Sequence, residues 1–230
     1  MWAVSTLWDE IVSGDYWYET KADIAGVSYQ SEIVSISVSN RMFSDQTPGV
    51  GGCIAGELSM ALLTSNSIPR MAMIRPYVRV TNGTNVSEWL PQGVFFVDTR
   101  NVTHNDDDLS LVSIHAYDAM LKTEADYPNT THPWPVSDID VVREIASTLG
   151  VGVDSRTEEL MSKAYQIGLP AGYSMREVLS NLASMYAGNW ILNYDGDLLL
   201  IAVNGIPPET NYLINATYDA ITFGGDRILV

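Results

Sequence analysis

The chain has 230 residues, 46% of them hydrophobic, which is enough for one large domain or two modest ones with a packed core. Its 28 acidic and 12 basic residues give a formal net charge of −16, which argues against stable binding to nucleic acid or to an anionic membrane surface, and its longest strongly apolar segment, Leu198 to Val203, is too short to cross a membrane as a helix. Its one cysteine, Cys53, excludes an internal disulfide framework or a zinc site of several thiolates, and is expected to be a small buried hydrophobe.

Residues 1–20 predict a helical, aromatic arm. Apolar residues recur at i, i+1, i+4 and i+5, which favours a helix over residues 5–14: Leu7, Trp8, Ile11 and Val12. Gly14 can end this helix in the left-handed conformation. Three of the six tryptophans lie in the arm: Trp2, Trp8 and Trp17. Because exposed tryptophan clusters usually mark contacts, the arm is expected to pack on the body or on another subunit.

Residues 21–125 predict an antiparallel β-module. The stretch "EIVSISVSN" has period two and places Val34, Ile36 and Val38 on its dry face. Further strands are expected at about 55–63 and in "LSLVSIHAYD" (109–118). The stretch "RPYVRVTNGTNVSEWLPQGVFFVDTR" (75–100) indicates a β-hairpin with one strand at each end. Strands joined by Gly, Asn, Asp and Pro turns are typical of a β-barrel or sandwich.

Residues 126–205 predict a smaller α+β unit. A proline-rich linker opens it, at Pro128, Pro133 and Pro135. Ser137 caps one predicted helix that Gly150 ends, and Ser174 with Glu177 forms a capping box for another. The stretch "NWILNYDGDLLLIAVN" predicts a hairpin with a two-residue turn at Asp195 and Gly196. The fold class is therefore α+β, mainly β, with strands at 206–230 that rejoin the first sheet or start another.

Motifs for chemistry are weak. His104 beside the aspartates at 106–108, and His115 beside Asp118, would allow a carboxylate hydrolase, but three consecutive aspartates between strands are typical of a solvated turn. The stretch "NYDGD" has EF-hand-like spacing without the leading Asp and closing Glu. No nucleophile elbow, phosphate-binding loop or dinucleotide-binding turn is present. No enzymatic activity, metal or cofactor is expected.

Charge is segregated along the chain. Residues 66–100 hold four arginines against two acids, a balance of +2, whereas residues 101–161 hold twelve acids against three bases, a balance of −9. Along the strand from Arg75, the side chains of Arg75, Tyr77 and Arg79 share one face. Two interpretations stay open: the arginines pair with the chain's own acids, or they dock an acidic face of a neighbouring copy or partner.

The chain resembles a family of phage proteins. The stretches on which the resemblance rests are "IPRMAMIRPYVRVTNGTNVSEWLPQGVFFVDTR", "IHAYDAML", "DIDVVREIASTLGVGVD" and "PAGYSMREVLSNLASMYAGNW". They resemble the tail-hub, or tail-tip, family of minor structural proteins in siphophage-like tails and prophages of Gram-positive bacteria. The resemblance implies a tube-forming β-barrel module with an α+β insertion, assembled as a homo-oligomeric ring, often a trimer. Many family members are longer, with a second tube domain and a receptor-binding or lytic extension.

The resemblance also implies a location and partners. The protein would be made in the host cytoplasm and built into the virion, at the distal end of the tail. There it would contact the distal tail protein, the tape measure and the tail tube. The candidate subunit-interface residues are Arg70, Arg75, Tyr77, Arg79, Arg100, Trp2, Trp8 and Trp17. An acidic lumen would let DNA pass without holding it, since like charge repels phosphate.

One alternative is a β-rich binding module for cell-wall glycan. It would use Trp89, Trp134 and Trp190 as stacking platforms, although lone tryptophans are mostly core or interface residues.

Overall fold

The computed structural model describes residues 4–43, 48–104, 109–128 and 133–202, and the backbone of 222–223 and 226–227. Its helices are α1 (Thr6–Val12), α2 (Asp138–Leu149), α3 (Ser155–Leu160) and α4 (Met175–Met185), with a 3₁₀ turn at Ala119–Glu124. The first strands are β1 (Trp17–Ile24), β2 (Val27–Tyr29), β3 (Ile33–Ser39), β4 (Glu57–Thr64), β5 (Met73–Thr81), β6 (Leu90–Pro91), β7 (Phe95–His104) and β8 (Ser110–Asp118). The remaining strands are β9 (Val136–Ser137), β10 (Gln166–Ile167), β11 (Gly188–Leu192), β12 (Leu198–Ala202), β13 (Thr222–Phe223) and β14 (Asp226–Arg227).

Strands β1 to β8 form one antiparallel sheet in the order β2-β1-β5-β7-β8-β4-β3, with β6 added to β5. The two end strands, β2 and β3, are joined by only residues 30–32, so the sheet must curl to bring its ends near each other. Among the described residues no ladder pairs β2 with β3, and the hydrogen-bonded sheet is open. The predicted fold class, α+β and mainly antiparallel β, is confirmed.

The concave core of this sheet follows from period-two strands. On β4 and β8 alternate side chains are buried, and they pack with apolar residues of the neighbouring strands: Leu58, Met60, Leu62, Val112, Ile114, Ala116, Ile74, Phe95 and Val97. The prediction for Val34 was wrong. A β-bulge between Ile33 and Ser35 shifts the pairing, so Val34 is 58% exposed and Ile33 packs against the core with Ile36 and Val38.

A second core lies under α2, α4 and the β11–β12 hairpin. Trp190 is fully buried there, and its indole Nε1 donates to the carbonyl of Leu179 at 2.8 Å. The predicted caps are confirmed. The hydroxyl of Ser137 accepts from the amide of Asp140, Gly150 ends α2 at φ 73°, and Ser174 and Glu177 form the capping box of α4: each satisfies otherwise orphaned backbone groups.

Two predicted chain reversals differ in the structure. Helix α1 ends at Val12 with Ser13 as its C-cap, and Gly14 is not among the residues with positive φ, so no left-handed cap forms there. The β11–β12 loop spans residues 193–197, because Leu192 and Leu198 are the last paired residues. The side-chain oxygen of Asn193 accepts from the amides of Asp195 and Asp197, both at 2.9 Å, which holds this longer loop in place of a two-residue turn.

A glycine-rich strap, residues 49–56, joins the two cores. The carbonyl of Gly52 accepts from the amide of Trp190 at 2.7 Å, and its amide donates to Oδ1 of Asn189 at 2.6 Å. A Cβ on Gly52 would lie 2.7 Å from that oxygen, so the close approach requires glycine. Cys53 in the strap is buried, which raises the pKa of its thiol to about 12 and confirms the expected apolar role.

The C-terminal prediction falls largely on residues outside those described. In the segment 206–230 only the backbones of β13 and β14 are described, and these two strands pair with each other. The proposed boundaries at 20, 125 and 205 stay predictions. None of the described helices is long and apolar enough to cross a membrane.

Candidate subunit interface

The face that carries Arg75, Tyr77 and Arg79 is formed by β5 and its neighbour β1. Arg75 is exposed and the other two are half-buried, while Pro76 and Val80 on the opposite face are buried. The antiparallel register sets three pairs directly opposite one another across the two strands: Asp23 with Arg75, Lys21 with Tyr77, and Glu19 with Arg79. Residues opposite each other in an antiparallel pair share a face, so the strip is lined by residues of both charge signs.

Arg79 is engaged within the chain. Its Nη2 lies 2.5 Å from Oε2 of Glu19, and its Nε donates to the same oxygen at 2.7 Å. Its guanidinium carbon lies 4.3 Å from the ring centroid of Trp89, and the Nζ of Lys21 lies 4.5 Å from the centroid of Tyr77 and 5.2 Å from that of Trp89. Of the two open interpretations, internal pairing accounts for Arg79.

Arg75 is differently placed. It is exposed and borders a cleft of about 200 Å³ that Asp195 and Asp197 also line, where the β11–β12 loop approaches the sheet. Arg75 forms no ion pair with any described residue. Its charge is therefore available to a partner or to these two acids of its own chain.

Of the other predicted interface residues, Trp17 lies at the end of this strip, because it pairs with Thr81 and alternates with Glu19 on β1, whereas the two remaining arginines lie elsewhere. Arg70 is exposed in the turn before β5, and Arg100 is exposed on β7, opposite Ile114 of β8. In the arm, Trp2 lies outside the described residues, Trp8 is half-buried, and Trp17 is 53% exposed. The described interface candidates therefore lie in several places: on the strip of β1 and β5, in the turn before β5, on β7, and in α1.

The arm is held on the body by the buried side chain of Ile11 and by one carboxylate, Glu88, in the connection between β5 and β6. The amide and hydroxyl of Ser5 each donate to Glu88 at 2.7 Å, and these two donors lower the pKa of Glu88. Ser5 also caps α1 through the amide of Trp8. This polar contact helps to position α1 and Trp8 together with the burial of Ile11, and the apolar periodicity of the arm does not reveal it.

Strand β7 has a free edge at Thr99–His104, which the sequence pattern did not predict. Strand β7 pairs with β5 only at Phe95 and Phe96, while its pairing with β8 continues to His104. Every residue from Asp98 to Thr103 is exposed. The edge contains one predicted interface residue, Arg100, but no local pattern in the sequence shows where β5 and β7 part.

Of the two histidine–aspartate pairs considered for hydrolysis, the pair at His104 lies outside the side chains that the structure describes, and the pair of His115 and Asp118 is not assembled. Asp106, Asp107 and Asp108 lie outside the described residues. His115 lies on the outer face of β8, 4.8 Å from the ring of Tyr117, whereas Asp118 is buried at the end of the strand's other face. Asp118 accepts from the backbone amides of Gly56 and Met120, a role in holding the strap and the 3₁₀ turn. Its burial raises the pKa of the carboxyl to about 6.

A cleft of about 630 Å³ lies between Leu90–Pro91 of the sheet and the β11–β12 hairpin. Its polar wall is an internal network: Asp154 accepts from Nε and Nη2 of Arg156 at 2.9 and 2.6 Å, and from Nδ2 of Asn193 at 2.8 Å. The Arg156 donors, together with Asn193, hold the pKa of Asp154 well below its usual range. Among the described residues no cluster of His, Cys, Asp and Glu could hold a metal ion.

The three tryptophans suggested as glycan platforms are occupied by protein contacts. Trp190 is fully buried, and Trp134 is half-buried with its ring edge-on to Tyr127 at 6.3 Å. Trp89 lies beneath Lys21 and Arg79. The structure therefore offers no support for a glycan surface built from these rings.

Comparison with solved structures gives the fold a precedent. A 43 kDa tail protein of prophage MuSo2 from Shewanella oneidensis superposes with a TM-score of 0.55 at 12% identity, over 80% of this chain and 53% of that protein. A tail protein from Neisseria meningitidis MC58 gives a TM-score of 0.49 at 12% identity, over 80% of this chain and 51% of that protein. No protein-family model and no curated protein matches the sequence. The chain thus has a fold that a prophage tail protein also adopts, and spans about half of its length.

Proposed function

We propose that this chain is a structural, non-catalytic component of a bacteriophage or prophage tail, at the tail tip or baseplate hub. The observation that carries the proposal is the likeness to the MuSo2 tail protein, which extends over 80% of the chain. It includes both the curled sheet and elements of the α+β unit, since neither alone makes up that share of the residues. The likeness therefore covers more of the chain than one common sheet would, and the tail role is carried over by analogy of fold.

The chemistry of the clefts supports a structural role. In the 630 Å³ cleft Asp154 and Arg156 are bonded to each other and Asp154 also to Asn193, so these groups hold α3 and the β11–β12 loop in place. Buried carboxylates elsewhere have similar roles: Asp118 holds the strap, and Asp138 accepts from the hydroxyl of Tyr186 at 2.5 Å. These acids stabilise the fold.

The assembly that we propose is a ring of identical subunits, such as a trimer, which contacts the distal tail protein, the tape measure and the tail tube in the virion. A ring needs two different lateral surfaces on each copy, because head-to-tail contacts are heterologous. Exposed residues of the predicted set that could serve such contacts are Arg70, Arg75, Arg100 and Trp17.

The test combines assembly with location. The purified chain should give a concentration-dependent mass above that of the 25.3 kDa monomer in light scattering, and rings in negative-stain micrographs. In purified phage particles, mass spectrometry should detect the chain, and particles from a host that lacks its gene should have tails without a complete tip. A strictly monomeric chain that is absent from purified particles would overturn the proposal.

A further inference from the structure

The outer half of β7 has a hydrogen-bonded strand on one side only. Only Phe95 and Phe96 pair with β5, and the amide and carbonyl of Val97 then bond to Ala72 and Met71 at 3.0 and 3.1 Å. A β-bulge between Val97 and Thr99 follows. Strand β5 begins at Met73, so β7 continues past the end of β5, and a bulge bends and twists a strand at such a point. From Thr99 onward, β8 is the only described strand beside β7.

This free edge has the properties of a strand that accepts another strand. All residues from Asp98 to Thr103 are exposed, and Val102 is 48% exposed although it is apolar. Among the described residues, no backbone hydrogen bond joins Thr99–His104 to anything except β8. An unpaired row of amides and carbonyls is a template for pairing with another chain unless charged side chains, proline or a covering segment block it. The segment contains neither lysine nor proline, and Arg100 is its one charged side chain.

A second unpaired edge lies on the opposite side of the same strands. In the order β7-β8-β4-β3, strand β3 is last, and no described strand is hydrogen-bonded to its outer side. Strand β3 contains no charged residue, and Val34 on it is 58% exposed. Among the described residues, the four strands therefore have two edges without a hydrogen-bonded neighbour: one at β7, and one at β3, where the curl of the sheet brings β1 near.

The two edges match in direction. Neighbours in β7-β8-β4-β3 are antiparallel throughout, and the number of strands is even. If a second copy is set beside the first with the same orientation, its β3 runs antiparallel to β7. The alternation of strand directions then continues across the junction without a break.

The two edges also match in their faces. The outer face of the four strands is lined by small polar side chains, in rows that the register defines: Thr99, His115, Ser59 and Ser37, then Asn101, Ser113, Ala61 and Ser35. If Asn101 is placed opposite the partner's Ser37, the hydroxyl and amide side chains continue this face. On the other face Val102 meets the partner's Ile36, which covers apolar surface on both.

We propose that the free edge of β7, Thr99–His104, pairs antiparallel with β3 of a second copy of this chain, so that the sheets of successive copies join edge to edge. The proposal rests on the proposed function, because it supplies the lateral contact of the ring. The contact is heterologous, and it therefore closes into a ring or continues as an open array according to the angle between copies.

Cysteine cross-linking tests the pairing. Within one chain, residues 101 and 37 are separated by three strand spacings, about 14 Å, whereas a disulfide requires Cα atoms within about 7 Å. A disulfide in the Asn101→Cys, Ser37→Cys variant must therefore join two copies. Matched controls are each single variant and Asn101→Cys with Ser147→Cys, since Ser147 is exposed on α2. Buried Cys53 is expected to remain reduced in all of them.

The expected result is a reducible ladder or closed oligomer in the Asn101→Cys, Ser37→Cys variant and its absence from the controls. Disulfide dimers of Asn101→Cys alone would mean that the edge pairs with itself, which refutes β3 as the partner. Oligomers in light scattering without any cross-link would overturn the edge pairing and leave the proposed function standing. A strictly monomeric chain absent from phage particles would remove both.

A second variant blocks the edge without new thiols. Val102→Lys places a charge on the free edge at a position that is already 48% exposed, so the monomer should remain folded. We expect at least a tenfold weaker self-association with an unchanged far-ultraviolet circular dichroism spectrum. Val86→Lys is the matched control, because Val86 is 42% exposed in the turn after β5. Equal self-association of both variants and the natural chain would contradict the proposal.

Discussion

The ion pair between Glu19 and Arg79 tests whether the arginine strip stabilises the fold or serves a partner. The side chains of Arg79 and Glu19 are 25% and 30% exposed, and their closest atoms are 2.5 Å apart. Replacing Arg79 with Gln removes this pair and the cation 4.3 Å from the Trp89 ring centroid. The pair is worth about 1 kcal/mol after allowance for solvent, and the cation–π contact about 0.5–1 kcal/mol. The free energy of unfolding should fall by about 1.5–2 kcal/mol, or roughly 3–8 °C in Tm.

The assay is a double-mutant cycle in urea with Glu19→Gln, Arg79→Gln and both together. A coupling energy of about 1 kcal/mol is expected, because each single change breaks the same pair. Arg75→Gln is the matched control, since Arg75 is exposed without an ion pair to any described residue, and its effect should stay within about 0.5 kcal/mol. If Arg79→Gln proves as harmless as Arg75→Gln but lowers the oligomer mass, Arg79 contributes to a partner contact and the internal assignment is wrong.

Three further changes probe the cores and caps. Trp190→Ala removes a fully buried indole and its hydrogen bond, and should cost about 3–5 kcal/mol in urea unfolding; a loss below about 1 kcal/mol would contradict its central position. Burial raises the pKa of the Asp118 carboxyl to about 6. The protonated carboxyl therefore stabilises the folded state fully below about pH 4, and this stabilisation is lost as the pH rises through 6. Between pH 7 and 4 the natural chain should gain roughly 2–3 kcal/mol relative to Asp118→Asn, and parallel stability curves would refute this. Gly150→Ala, at φ 73° with nothing within 4 Å of the added Cβ, should cost about 1 kcal/mol in thermal unfolding, whereas Gly168→Ala, also in open space but without positive φ, should be nearly neutral.

The parts of the fold that the sequence predicts well are those decided within a few residues. Ser137, Gly150 and the Ser174–Glu177 pair all act on backbone groups at most four positions away, so their residue types alone identify the helix ends. The bulge at Val34 is different. Its position depends on how β3 is held by β4 and by the core, and the alternating letters of "IVSISVS" are compatible with either face.

In the candidate interface, too, the sequence predicts the local features and does not predict those that depend on distant residues. Period two correctly placed Arg75, Tyr77 and Arg79 on one face of a strand. It did not reveal Glu19, which pairs with Arg79 from 60 positions away and is brought there by the register of β1 against β5. The free edge of β7 is equally invisible in the sequence, because an edge is defined by which strand is missing beside it.

The sign of the salt dependence separates the two possible contact surfaces. Copies of a chain with net charge −16 repel one another, and salt screens this repulsion beyond about 8–10 Å. Strand β3 has no charged residue and Thr99–His104 has only Arg100, so an edge-to-edge contact gains little attraction from charge and should strengthen as salt rises. A contact between Arg75 and the acids of a neighbour should instead weaken as salt rises. Light scattering from 50 mM to 500 mM sodium chloride therefore distinguishes the edge from the strip, and a fall in mass with salt would count against strand pairing as the main contact.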